Sequence, residues 1–117
     1  PITGAMLPIF DEPELLDRLG DDLELLDEVV GVFPEDAPVR MQAIADAVLR
    51  GSATEPRAAA HAIKGAAASL GAARLAESAH QLEQRAAAGQ MAAESQQRVS
   101  ADMHELMSVL RRRASAA

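Results

Sequence analysis

From residue 11 onward, the apolar residues of the chain recur every three or four positions, the spacing of one face of an α-helix. Leu15, Leu16 and Leu19 form the first cluster, which Gly20 stops. Leu23, Leu26, Val30 and Phe33 make a second stripe, and Ala37, Met41, Ile44 and Val48 continue to Gly51. Between these two stripes stand Pro34 and Pro38. Each lacks the N–H that a helix interior uses, so a kink or short break is expected near residues 33–36. A further helix is expected from Thr54, acting as its cap with Pro56 in the first turn, to about Leu70, where Gly71 permits a tight reversal. Leu75, Ala79, Leu82 and Ala86 define the next, ending at Gly89. Val99, Met103, Leu106 and Leu110 face inward on a last helix from about Ala92 to Arg113. Asp11 with Glu14, and Asp21 with Glu24, have the spacing of helix N-caps. No segment alternates as a strand does, and no hairpin turn occurs. Short connections place successive helices antiparallel. The expected fold is all-α, an antiparallel four-helix bundle with a short additional N-terminal helix. Residues 1–7 carry no period and read as a linker or an expression scar, with residues 8–117 as one domain.

Composition narrows this picture. Of the 117 residues 49% are hydrophobic, but much of that is alanine, and Phe10 and Phe33 are the aromatic residues. Alanine favours helix and fills little space, which suits helices that approach closely. The absence of cysteine excludes disulfides and thiolate metal sites. No apolar run reaches the roughly 18 residues of a membrane span, and no signal-peptide pattern opens the chain. A soluble cytoplasmic domain is the expectation, and a monomer, since four helices can close a core without a partner. The net charge of −7 is uneven: residues 1–40 hold eleven Asp and Glu against Arg18 and Arg40, whereas the remainder holds seven against nine Lys and Arg. Such an acidic chain, without aromatic stacking platforms, is a poor nucleic-acid binder. Arg111, Arg112 and Arg113 read as a solvated helix end that suits the helix dipole.

The chemistry must come from few residues. The serines lack the glycines of a nucleophile elbow, and Gly65 and Gly71 stand too far apart for a phosphate loop. Asp21-Asp22 and Glu35-Asp36 belong at helix starts. His80 and Glu83 have metal-ligand spacing, but one pair does not make a metal site, and none is expected. His61 differs. On a helical wheel Ala59, Ile63, Ala66 and Leu70 lie about 140–200° away from it, on the apolar face, whereas Arg57, Lys64, Gly65 and Ala68 fall within about 60°. The imidazole should therefore point out of the core, beside a lysine and small neighbours. Gly65 in mid-helix costs about 0.5–1 kcal/mol relative to alanine. One turn from an exposed histidine, it would let another protein approach the ring. Lys64 could neutralise part of a phosphoryl charge there.

The segment His61-Ala62-Ile63-Lys64-Gly65-Ala66-Ala67-Ala68-Ser69-Leu70-Gly71 resembles the phosphoacceptor signature of histidine-phosphotransfer (HPt) domains. Upstream, Phe33-Pro34-Glu35-Asp36-Ala37-Pro38 is similar to the family's Phe-x-Glu-Asp-Ala-Pro stretch, and downstream Leu75 and Leu82-Glu83 fall where the family has its leucine and Leu-Glu. The resemblance covers roughly residues 15–88. Ser69 departs from a common asparagine, and Pro34 interrupts a helix that usually lacks proline there. The resemblance implies a phosphorelay component of a two-component system. His61 would accept a phosphoryl group from the aspartate of one receiver domain and pass it to another, with Lys64 stabilising the charge and Gly65 keeping the face open. No cofactor of the chain's own is implied; the receiver would supply Mg²⁺. Because the helix after Gly71 runs back, Glu83 or Gln84 would reach the imidazole and set its tautomer. The docking surface would be an exposed patch around His61 with Ala58, Gly65 and Ala68, and charges such as Arg57 at its rim. Met103-His104-Glu105-Leu106 faintly resembles the box of sensor-kinase dimerisation domains, but Met107-Ser108-Val109 follows where Thr-Pro belongs. The length leaves no room for an ATP-binding module, so kinase activity is not expected. The alternative from another class is a docking or inhibitory bundle that is never phosphorylated.

Overall fold

The computed structural model describes residues 6–52, 54–90 and 93–116. It is built from α1 (Glu12–Arg18), α2 (Leu23–Leu49), α3 (Thr54–Leu70), α4 (Ala73–Ala87) and α5 (Ala93–Ala116), with no strand among the described residues. Each long helix packs on the next and α5 returns to α2, which closes the antiparallel four-helix bundle, while α1 rests on α2.

Local chemistry explains most of the boundaries. The Asp11 carboxylate accepts the Glu14 N–H at 3.2 Å and caps α1, as its spacing predicts. At α2 the cap is Asp22, not Asp21: its carboxylate accepts the Leu25 N–H at 3.1 Å. Gly20 and Asp21 both take left-handed backbone, with φ of 69° and 61°, and this two-residue reversal moves the helix start on by one. Thr54 is already the first residue of α3 rather than its cap, and the residue before it lies outside the described ones. Likewise the expected start of the last helix at Ala92 lies outside them, and α5 runs past Arg113 to Ala116. The helix expected to end at Gly89 closes at Ala87.

The expected break near residues 33–36 does not occur, since α2 is one helix of 27 residues with Pro34 and Pro38 inside it. The prolines stand one turn apart, so the lost bonds fall on two carbonyls of one side, those of Val30 and Pro34. Phe33 and Ala37, which alternate with the prolines, are buried against the core and hold the helix through the weakened turn. Leu23 does not join this stripe; it opens the helix and is exposed, and burial begins at Leu26.

The core follows the remaining stripes. Leu75, Ala79, Leu82 and Ala86 of α4 and Val99, Met103, Leu106 and Leu110 of α5 are all buried. The inward face of α3 is Pro56, Ala60, Ile63, Ala67 and Leu70, while Ala66, expected among the apolar residues, stays exposed on its flank. Buried alanines at 60, 67 and 79 bring α3 and α4 together, the most extensive helix pair of the bundle. Gly71 makes the reversal between them at φ 85°. A Cβ there would lie 3.1 Å from the Asp11 carbonyl oxygen, and the Asp11 N–H donates to the Gly71 carbonyl at 2.9 Å. Two further bonds, from Arg74 to the carbonyls of Leu7 and Pro8, fasten the same turn to the segment before α1. The hairpin that carries the candidate site is thus braced at its closed end.

Candidate functional site

His61 lies two turns into α3 with its imidazole 69% exposed. This is the orientation that the wheel argument requires, because Ile63 and Leu70 on the far side are buried. Across from it on α4, Glu83 is only 17% exposed and uses both carboxylate oxygens. One, Oε2, lies 2.6 Å from Nδ1 of His61; the other, Oε1, accepts from Nζ of Lys64 at 2.7 Å. One carboxylate therefore ties the histidine to the lysine three residues along.

The electrostatics of Glu83 decide the tautomer. The Lys64 hydrogen bond, opposed by burial and supported by His61, holds the Glu83 carboxyl below its ordinary value of 4.5. At neutral pH it is ionised and can only accept, so Nδ1 of His61 carries the proton and donates. In the neutral ring this tautomer leaves the lone pair on Nε2, the nitrogen that Glu83 does not engage. A neutral ring held in this way can act as an oriented nucleophile through Nε2.

The surroundings of the ring are low and open. Arg57, Ala58, Gly65 and Ala68 are exposed beside His61 on α3. A Cβ placed on Gly65 would meet nothing within 4 Å. Packing therefore gives no reason for glycine at this position. Gln84 is exposed but turns from the ring, lining a shallow depression with Gln81, Arg85 and Gln90. Of the two residues expected to reach the imidazole, Glu83 does so.

Two features did not emerge from the sequence. Lys64, expected beside His61 as a cation for the phosphoryl group, is held by Glu83. His80, one turn before Glu83, brings Nδ1 to 3.9 Å from Oε1, and that atom is buried without a hydrogen-bond partner. Reflecting α3 and α4 about residue 72 sets position 61 against 83 and 64 against 80, a signal available once the turn is located. His80 and Glu83 gather no further ligand, and among the described residues no group of three or more His, Asp or Glu side chains is arranged to hold a metal ion. His104 lies on α5, exposed and apart from this cluster.

Comparisons with known proteins bear on the family and the fold. The Hpt domain family model matches residues 13–113. A comparison with curated proteins finds no match. Among solved structures, the histidine-containing phosphotransfer protein B (HptB) from Pseudomonas aeruginosa PAO1 is similar with a TM-score of 0.82, over 94% of this chain and 97% of that one, at 24% identity. At that identity the likeness speaks for the fold.

Proposed function

Since the chain belongs to the Hpt domain family, whose members carry phosphoryl groups in two-component phosphorelays and interact with receiver domains, we propose that His61 is its phosphoacceptor. The observation that carries this reading is the Nδ1 bond from the exposed His61 to Glu83, which leaves Nε2 of the neutral ring as the nucleophile. The lone pair of Nε2 attacks the phosphorus of an aspartyl phosphate on a docked receiver. The N–P bond forms as the P–O bond to the aspartate breaks, and the aspartate leaves as a carboxylate. The ring, still protonated at Nδ1, gains positive charge that the Glu83 carboxylate offsets. In the return step a second aspartate attacks the same phosphorus and the imidazole leaves, so atoms and charge balance in both directions.

Little covalent work falls to the protein, and positioning and charge neutralisation dominate. Glu83 orients the ring, Lys64 supplies a cation within one turn of the phosphoryl group, and Gly65 leaves room for the receiver. Ala58 and Ala68 extend the low surface on which it docks, with Arg57 at the rim and Gln84 at its edge. Mg²⁺ enters with the receiver, and the chain's residues act on the ring and the phosphoryl oxygens. Among the described residues no helix is long and apolar enough to cross a membrane. On this reading the domain works in the cytoplasm as a monomer, and sedimentation velocity should give a single species of 12.3 kDa.

The deciding experiment is transfer from a phosphorylated receiver domain to the parent protein and to His61→Gln. Acid-labile label on the parent and none on the variant is the expected result. Label retained by His61→Gln would move the site to His80 or His104. A parent unlabelled by a panel of receivers would make the chain a docking module.

A further inference from the structure

The buried, unpartnered Nδ1 of His80 is the least explained atom of the molecule. The ring as a whole is 42% exposed, yet solvent does not reach this nitrogen. A buried polar atom left without a bond is costly, and native structures rarely keep one without a reason. Oε1 of Glu83 lies 3.9 Å from it, the same oxygen that Lys64 occupies at 2.7 Å. The gap is about 1 Å longer than a hydrogen bond, so a modest rotation of either side chain closes it.

We propose that His80 is a positioning residue that takes over Glu83 when Lys64 turns to the phosphoryl group on His61. The proposal rests on the reading of His61 as phosphoacceptor. A phosphoryl group brings a charge near −2 to within one turn of Lys64 and competes with Glu83 for its ammonium. As Nζ swings to a phosphoryl oxygen, Oε1 loses its donor in a site that is mostly closed to water. The Nδ1–H of His80 then fills that place, while Oε2 keeps the Nδ1–H of His61. No covalent bond changes in the exchange, and the carboxylate stays satisfied on both oxygens. The unpartnered nitrogen of the resting state becomes a bonded one in the phosphorylated state, which shifts the balance towards holding the phosphoryl group.

The test compares the parent with His80→Phe, which keeps a ring without a donor, and His80→Gln, which returns an N–H. Equilibrium labelling from a phosphorylated receiver should fall about fivefold in His80→Phe, the worth of one ordinary hydrogen bond, and recover in part in His80→Gln. Imidazole ¹⁵N shifts of unphosphorylated His61 should be alike in all three. A second readout needs no phosphate. In Lys64→Met the Nδ1 resonance of His80 should already stand where the parent reaches it only on phosphorylation, because Oε1 is vacated in both. Equal labelling of the parent and His80→Phe, or a His80 resonance indifferent to Lys64→Met, would overturn the exchange and leave the phosphoacceptor reading intact. A parent that never takes label removes that reading, and the phosphoryl trigger with it.

Discussion

Glu83 is the residue whose replacement separates orientation from nucleophilicity. Glu83→Gln keeps the shape of the side chain and removes its charge. Nδ1 of His61 then has a weaker acceptor, and the ¹⁵N shifts of the ring should move towards a mixture of tautomers. The rate of transfer should fall more than tenfold, as for loss of a positioned charge-assisted bond, roughly 1.4 kcal/mol or more. The same change reports on stability. Because the Glu83 carboxyl is held below its ordinary value of 4.5, its ionised form stabilises the fold above that value, and the contribution is lost as pH falls through the lower folded value. Glu83→Gln should therefore cost about 1–2 kcal/mol at neutral pH and flatten the acid limb of the stability curve, read from urea midpoints. At Gly65 the expected signs are opposite for fold and function. The open space around its Cβ lets Gly65→Ala stabilise the helix by about 0.5–1 kcal/mol, whereas Gly65→Gln should fold as well as the parent and lose receiver binding. His61, Lys64 and Gly65 were legible from the wheel alone, since their direction depends only on the helix that carries them. The pairing of Lys64 with Glu83, and the position of His80, depend on the register of two helices and on side-chain rotamers. The sequence shows neither until the turn is placed.

At the scale of elements, α2 is where local preference and packing part company. Its two prolines argue for a break, and the break is absent because Phe33 and Ala37 are anchored in the core. The helix is thus held by tertiary contacts across a stretch that its own backbone would not hold. Pro38 is exposed, so Pro38→Ala should restore the missing bond to the Pro34 carbonyl without disturbing the core. A gain of about 1–3 kcal/mol is expected, seen as a higher denaturant midpoint, together with slower amide exchange over residues 34–42. The stripes of α4 and α5 were fully readable, since each inward residue predicted there is buried. The helix starts were less so. Asp21 and Asp22 are chemically alike as caps, and only the left-handed pair at Gly20 and Asp21 decides between them.

Across the whole molecule, the acidic excess and the site meet at one edge, where Asp11 and Glu14 line a depression with Lys64 and His80. Most of the acidic excess of residues 1–40 is spread over α1, the turn after it and the first half of α2, while the imidazole and its lysine sit on α3, facing α4. One arginine joins the distant parts: Arg113, near the end of α5, bonds both Glu12 of α1 and Asp27 of α2. Arg113→Ala should lower stability by about 1 kcal/mol, with a smaller effect at high salt, and free α1 in hydrogen exchange before the rest of the bundle. That contact spans nearly the full chain, and no period or cap foretold it; a basic helix end looked merely solvated. The exposure of His61 has a consequence of its own. A nucleophile without walls cannot shelter what it carries, since whatever admits a partner admits water as well. A phosphoryl group carried there, as proposed for His61, would be a perishable message, and the distance over which it could be delivered would be set by how soon the next receiver is met.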